Sequence, residues 1–138
     1  MTGSGRFEVV EGGVAVVTGY VRATTKPELE RVNSKLMVVS EKEELMTTRD
    51  IYKELRLRGY HYSGYFRALK SATTDGSKGK ILWSNNWVAF MDNMLQMQIL
   101  GGDSRGLFVP TGITKLVIDT RDHLNQVRAM DDENKGEF

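Results

Sequence analysis

Asp92 is the residue whose setting most calls for a chemical explanation. It lies in the run Asn86 to Leu100, which contains no Gly or Pro and is apolar nearly all round, with Trp87, Val88, Phe90, Met91, Met94 and Leu95 on every side. An ionised carboxylate taken out of water is costly unless hydrogen bonds compensate it. Desolvation also favours the neutral form of a carboxyl, which makes it a better proton donor near neutral pH. Gln96 follows at i+4, on the same helical face. Its amide can donate to one Asp92 oxygen and fix the orientation of the group. The plainer reading places Asp92 at a partly solvated helix edge, or has it satisfy a loop amide.

Other candidate chemistry is weaker. The segment Leu57 to Arg67 interleaves Tyr60, Tyr62, Tyr65 and Phe66 with Arg58 and Arg67, a pattern that suits stacking and phosphate contact with single-stranded nucleic acid. The formal net charge is only +1, however, and phosphate-driven binding needs a clear basic excess. The segment reads instead as a turn after a helix, its aromatics covering the edge of a core, and no nucleic-acid partner is expected. Lys78-Gly79-Lys80 is followed by Ile81, so the hydroxyl that a phosphate loop offers to Mg²⁺ is missing. His61 and His123 have no carboxylate or second histidine at ligand spacing, so no metal is expected. There is no Gly-x-Ser-x-Gly elbow. The chain has no cysteine, which excludes disulfides and thiolate chemistry.

These side chains need elements to position them. At 138 residues, 40% hydrophobic and 27% charged, the chain fits one globular domain. Phe7 to Val10 and Val14 to Ala23, joined through Gly12-Gly13, predict a β-hairpin. Thr24 to Asn33, with Pro27, reads as a linker. Leu36 to Val39 reads as a short strand, and Glu41 to Thr48 as helix or loop. Asp50 to Arg58 predicts a helix capped by Thr48 or Asp50 and ended by Gly59. Tyr65 to Thr73 and Lys80 to Trp83 predict a second hairpin across Asp75-Gly76-Ser77-Lys78-Gly79. Asn86 to Leu100 predicts a long helix capped by Asn85 or Asn86, ended by Gly101-Gly102 and wrapped by other structure on most sides. Ile113 to Asp119 and His123 to Met130 predict further strands. The sum is an α+β fold, most economically an antiparallel sheet curled round one buried helix. No apolar run approaches the ~20 residues that span a bilayer, so no membrane partner is expected.

One set of segments resembles a known family. The run from Ile81 to Met97, including Trp83-Ser84-Asn85-Asn86-Trp87 and Asp92-Asn93-Met94-Leu95-Gln96, is similar to the central-helix region of the dehydratase domain in animal type I fatty acid synthases, which are related to polyketide synthase dehydratases. Ile51-Tyr52-Lys53-Glu54-Leu55-Arg56-Leu57-Arg58-Gly59-Tyr60 resembles the approach to that domain's substrate channel. Gly106-Leu107-Phe108-Val109-Pro110-Thr111 resembles the turn before its next strand. The likeness runs from about Asp50 to Asp119.

The resemblance implies a double hotdog fold, of which this chain would hold an incomplete second half. It divides the chain into a disordered leader (1–6), strands and linker from the junction with the first hotdog (7–49), the C-terminal hotdog (50–130) and a frayed tail (131–138). It implies a lyase step of cytoplasmic fatty acid biosynthesis: loss of water from a (3R)-hydroxyacyl group on acyl carrier protein, giving a trans-2-enoyl product. No cofactor is implied beyond the carrier's phosphopantetheine. Asp92 would protonate the departing hydroxyl, Gln96 would orient Asp92, and Tyr62, Phe66 and Leu95 would line the acyl channel. The partners implied are acyl carrier protein, the N-terminal hotdog and the remaining synthase domains. Homodimerisation is a further expectation, because a hotdog cut short after about Met130 would leave a sheet edge to pair with another chain.

Two departures from the family pattern stand out. Its catalytic histidine belongs to a His-x-x-x-Gly-x-x-x-x-Pro motif that this sequence lacks, so the chain alone is expected to be inactive. Its Gly-Tyr-x-Tyr-Gly-Pro-x-Phe segment is here Gly59-Tyr60-His61-Tyr62-Ser63-Gly64-Tyr65-Phe66, with Gly64 in place of proline. The alternative to an enzymatic role is a non-catalytic hotdog scaffold that dimerises, or docks carrier protein through Arg56, Arg58 and Arg67.

Overall fold

The computed structural model describes residues 5–31, 43–104 and 106–134, with side chains to 129. The predicted strand at Leu36 to Val39 lies outside the described residues. The fold is α+β, with two antiparallel sheets and four α-helices among the described residues. Two compact units divide it: residues 35–116, and residues 1–34 together with 117–138.

The first unit in chain order opens with the hairpin of β1 (Arg6–Glu11) and β2 (Val14–Tyr20). Gly12 and Gly13 turn it with φ of 56° and 83°, a pair of left-handed conformations that glycine adopts at least cost. The segment expected to be a linker contains a single helical turn, α1 (Pro27–Glu30), with proline in its first turn. Arg31 donates to Asp119 through Nε at 3.1 Å and Nη2 at 2.5 Å.

Two predicted strands are corrected here. Ile113 to Asp119 has no strand structure, and His123 to Met130 lies within a helix, α4 (Thr120–Asn134). Ile113, Leu116 and Val117 favour strands, but a strand exists only where a ladder partner accepts it. In α4 the decisive signals are local. Asp119 Oδ1 accepts from the Asp122 amide at 3.1 Å, and Gln126 Nε2 donates to Asp122 Oδ2 at 2.9 Å. That is a helix start followed by an i,i+4 pair.

The unit of residues 35–116 holds the core. Strand β3 (Leu45–Thr47) runs directly into helix α2 (Thr48–Leu57). Thr47 is the cap, one residue before the range the sequence predicts. Its side chain accepts from the Asp50 amide, and the Asp50 carboxylate accepts back from the Thr47 amide. Gly59 follows α2 at φ 96°. A single 3-10 turn (Gly64–Phe66) and a short loop lead to β4 (Leu69–Thr73), which pairs antiparallel with both β3 and β5 (Gly79–Ile81). Helix α3 (Trp87–Gly101) is capped by Asn86, whose side chain accepts from the Ala89 amide.

Ile51, Tyr52 and Leu55 of α2 pack against Leu69 and Ala72 of β4 and Leu100 of α3. The turn between β4 and β5 lies tight against the end of α3. A Cβ on Gly76 would collide with the Met97 carbonyl, and one on Gly101 with the Asp75 carbonyl. Among the described residues α3 is not wrapped on most sides. Its buried stripe is Ala89, Asn93, Gln96 and Leu100, while Val88 is 64% and Leu95 38% exposed. The reason is that the unit lays its three-stranded sheet and α2 against one side of the helix. The residues that meet them are largely small or amide side chains, not the helix's aliphatics.

Candidate functional site

The 4–3–4 spacing of Ala89, Asn93, Gln96 and Leu100 puts two amides on the inward face of α3. Gln96 is fully buried. Its Nε2 donates to Asp92 Oδ2 at 2.7 Å, the i,i+4 contact that the spacing predicts, and to the Phe66 carbonyl at 2.8 Å. Both partners are acceptors, so the amide orientation is fixed by chemistry. Among the described residues no donor reaches the buried Gln96 Oε1, and a buried acceptor of this kind favours an incoming donor. Asp92 itself is half-buried, between the two settings that the sequence allows.

Asn93 is the hub that sequence reasoning missed. Its Nδ2 donates to the carbonyls of Ala89 at 2.7 Å and Tyr65 at 3.3 Å. Its Oδ1 accepts from the Ala68 amide at 3.0 Å and the Tyr52 hydroxyl at 3.2 Å. Tyr52 Oη in turn accepts from the Leu69 amide at 3.0 Å. Together, Asn93 and Gln96 fasten the segment 65–68 to α3 through three backbone groups, and Tyr52 holds a fourth, the Leu69 amide. An amide at helical spacing from Ala89 and Gln96 was the available signal.

Tyr62 stands over this network. Its ring stacks on Tyr60 at 5.9 Å and meets Tyr52 edge-on at 6.4 Å. Burial first, then the neighbouring charge of Asp92, pushes its hydroxyl up to about 12. Tyr52 is also raised, again first by burial. A phenol held neutral beside a carboxylate can donate a hydrogen bond without competing for negative charge. A cleft of about 160 Å³ runs along Tyr52, Tyr60 and Tyr62, with His61 and Ser63 on its wall.

Asp92, Gln96 and the Phe66 carbonyl therefore converge, with Tyr62 within Coulombic reach of Asp92. Phe66 as a residue is 40% exposed, and what bonds Gln96 is its backbone carbonyl. Leu95 lies on the exposed side of α3 and lines neither this cleft nor its neighbour.

Of the three arginines expected to dock a partner, Arg58 is committed elsewhere. Its guanidinium donates to Glu54 at 2.8 Å and to the carbonyls of Ile99 at 2.5 Å, Gly102 at 3.0 Å and Leu100 at 3.4 Å. It thereby satisfies the carbonyl end of α3, where a cation is also favoured by the helix dipole. Gly64 has φ 54°. Proline is locked near −65°, so this turn cannot be the one a proline would make. No group of His, Asp or Glu among the described residues is arranged to hold a metal ion, and no described helix is long and apolar enough to cross a membrane. No family model matches the chain.

Proposed function

We propose that residues 50–130 are the C-terminal hotdog portion of a fatty acid synthase dehydratase, working in the cytoplasm on (3R)-hydroxyacyl groups carried by acyl carrier protein. In this reading α3 is the central helix, and β4 and β5 are part of the sheet that curls round it. The observation that carries the proposal is the 2.7 Å contact from Gln96 Nε2 to Asp92 Oδ2, with the same nitrogen anchored on the Phe66 carbonyl. A carboxyl with one oxygen pinned presents the other in a fixed direction, as a positioned acid requires.

Dehydration needs two partners. A base takes the α-proton, and the released electron pair forms the Cα–Cβ double bond. The bond from Cβ to the hydroxyl oxygen breaks, and Asp92 gives its proton to that oxygen so that it leaves as water. The base belongs to the N-terminal hotdog, whose histidine motif this sequence lacks. Tyr62 and the Phe66 backbone shape the approach to Asp92.

Hydration of a crotonyl thioester, the same reaction in reverse, provides the test. The chain is assayed alone and after mixing with an N-terminal dehydratase hotdog that carries the histidine motif. Turnover is expected only in the mixture, and Asp92→Asn should lower it about 100-fold or more. Turnover by the chain alone that Asp92→Asn abolishes would overturn the half-site reading. Full activity of Asp92→Asn in the mixture would overturn the acid role and favour the scaffold alternative.

A further inference from the structure

Helix α2 carries Arg49, Lys53 and Arg56 at i, i+4 and i+7, a spacing that places all three on one helical face. Arg67 joins them from the loop after the 3-10 turn, its guanidinium 4.6 Å from the centre of the Tyr52 ring. With Tyr52 and Leu57 these four cations line a cleft of about 280 Å³. None of the four forms an ion pair among the described residues. The acids nearest in sequence are engaged: Glu54 accepts from Arg58, and Asp50 accepts from Thr47 while lying within Coulombic reach of Arg49 and Lys53. The chain as a whole is almost neutral at +1, so this is a local concentration of charge and not a general basic character. Like charges gathered round a concave surface repel one another, and an anion in the cleft relieves that repulsion.

The cleft is not isolated. Tyr52, Arg56 and Arg67 also line the smaller cleft that continues along Tyr60 and Tyr62. The larger cleft carries more cations, four against two arginines, and the smaller more aromatic rings. Neither cleft alone is large by the standards of ligand pockets, which run to roughly 300–1,000 Å³. A charged headgroup with a slender stem fits two small clefts that share Tyr52, Arg56 and Arg67 better than a bulky ligand does. Arginines also favour phosphate, which their planar fork meets with paired hydrogen bonds.

We propose that this basic cleft binds the phosphate of an organic phosphate ester, with the ester's uncharged stem lying along Tyr52, Tyr60 and Tyr62. The stem's path leads to Tyr62, which feels the charge of Asp92. Naming the ester as a phosphopantetheine arm rests on the dehydratase reading; the phosphate site itself does not.

Calorimetric titration of the whole chain tests this. The probes are phosphopantetheine, pantetheine, inorganic phosphate and oligoglutamate. Phosphopantetheine should bind roughly tenfold or more tightly than pantetheine, and more tightly than inorganic phosphate. The preference over pantetheine should fade as salt rises to about 0.2 M, because the charges are solvent-facing. It should vanish in Lys53→Glu/Arg56→Glu and weaken in Lys53→Gln/Arg56→Gln, with helix content by circular dichroism confirming that each variant is folded. Equal binding of phosphopantetheine and pantetheine overturns the site, as does a preference that survives charge reversal in a folded variant. Displacement of phosphopantetheine by oligoglutamate at lower concentration than by inorganic phosphate overturns the small-ester assignment in favour of an acidic protein surface. Asp92→Asn should leave the phosphate preference unchanged. A chain that keeps that preference while Asp92 proves dispensable for hydration sinks the dehydratase reading and leaves the anion site standing, so the two fail separately.

Discussion

A side-chain amide that touches two acceptors 2.7 and 2.8 Å away has no rotational freedom left to lose, and Gln96 passes that rigidity to Asp92. Gln96→Ala should therefore act through Asp92 and not on substrate contact. In the reconstituted hydration assay kcat should fall about tenfold or more, with KM changed far less. Matched losses in both would point to a structural role alone. Tyr62 offers a reading that does not depend on catalysis. Its neutral form is favoured by burial, and its hydroxyl lies at about 12 against an ordinary 10.0. A group raised in the folded state contributes stability that is fully present below the unfolded value and is lost as pH climbs toward the folded one. The window is thus pH 10.0 to about 12. Ultraviolet titration of the phenolate band should show a late-ionising component that is reduced in Tyr62→Phe, Tyr52 supplying the rest. An unchanged late component in that variant would assign it to Tyr52 instead.

At the level of the element, one turn and one hairpin bear on the site. Gly64 has φ 54°, and nothing lies within 4 Å of the position a Cβ would take there, so Gly64→Ala meets backbone strain without a clash. The cost should be about 1–2 kcal/mol by urea denaturation, and no measurable loss would show that the turn relaxes without cost. The hairpin turn reports through pH. Asp75 accepts from the Thr73 hydroxyl at 2.5 Å and from the Ser77 amide at 3.0 Å. The Thr73 hydrogen bond, then those from Ser77, hold its carboxyl near 2 against an ordinary 3.8. A depressed value means stability that is present above pH 3.8 and lost as pH falls toward 2. Asp75→Asn should flatten that part of the acid-denaturation curve, and an unaltered curve would remove Asp75 from the account. The same elements show what sequence can and cannot reveal. Helices α2 and α3 were legible because their signals are local: polar caps near the start of each, placed at Asn86 for α3 and one residue late for α2, Gly59 beyond one end, and an uninterrupted apolar run. The Asp92–Gln96 contact was legible for the same reason, being one helical turn long. The Tyr52–Asn93 bond joins residues 41 apart, and Arg58 reaches the end of α3 across a similar separation. Nothing in either residue's own neighbourhood announces such a partner. Ile113 to Asp119 and His123 to Met130 were misread because strand propensity was weighed without a ladder partner and the Asp119 cap was overlooked.

On the scale of the whole chain, the two compact units differ in how they hold their backbone. In the unit of residues 35–116 the amides of Ala68 and Leu69 are bonded to the buried side chains of Asn93 and Tyr52, beside Ile51 and Leu55, which are fully inaccessible. Opening those bonds means taking α2 off β4, a loss of the core itself. The β1–β2 hairpin has no such support. Every residue of β1 is exposed, as is every residue of β2 except Gly19, and a two-stranded hairpin is marginal in water. Its amides can open without disturbing any buried side chain of its own unit's strands. Hydrogen exchange on the isolated chain should accordingly fall into two tiers, with Ala68, Leu69 and Ala72 exchanging near the global unfolding limit and the β1–β2 amides far faster. Leu55→Ala should cost about 2–5 kcal/mol and accelerate the first tier while leaving the second almost unchanged. Equal protection of both tiers, or acceleration of both by Leu55→Ala, would mean that the hairpin unfolds with the core as one cooperative body.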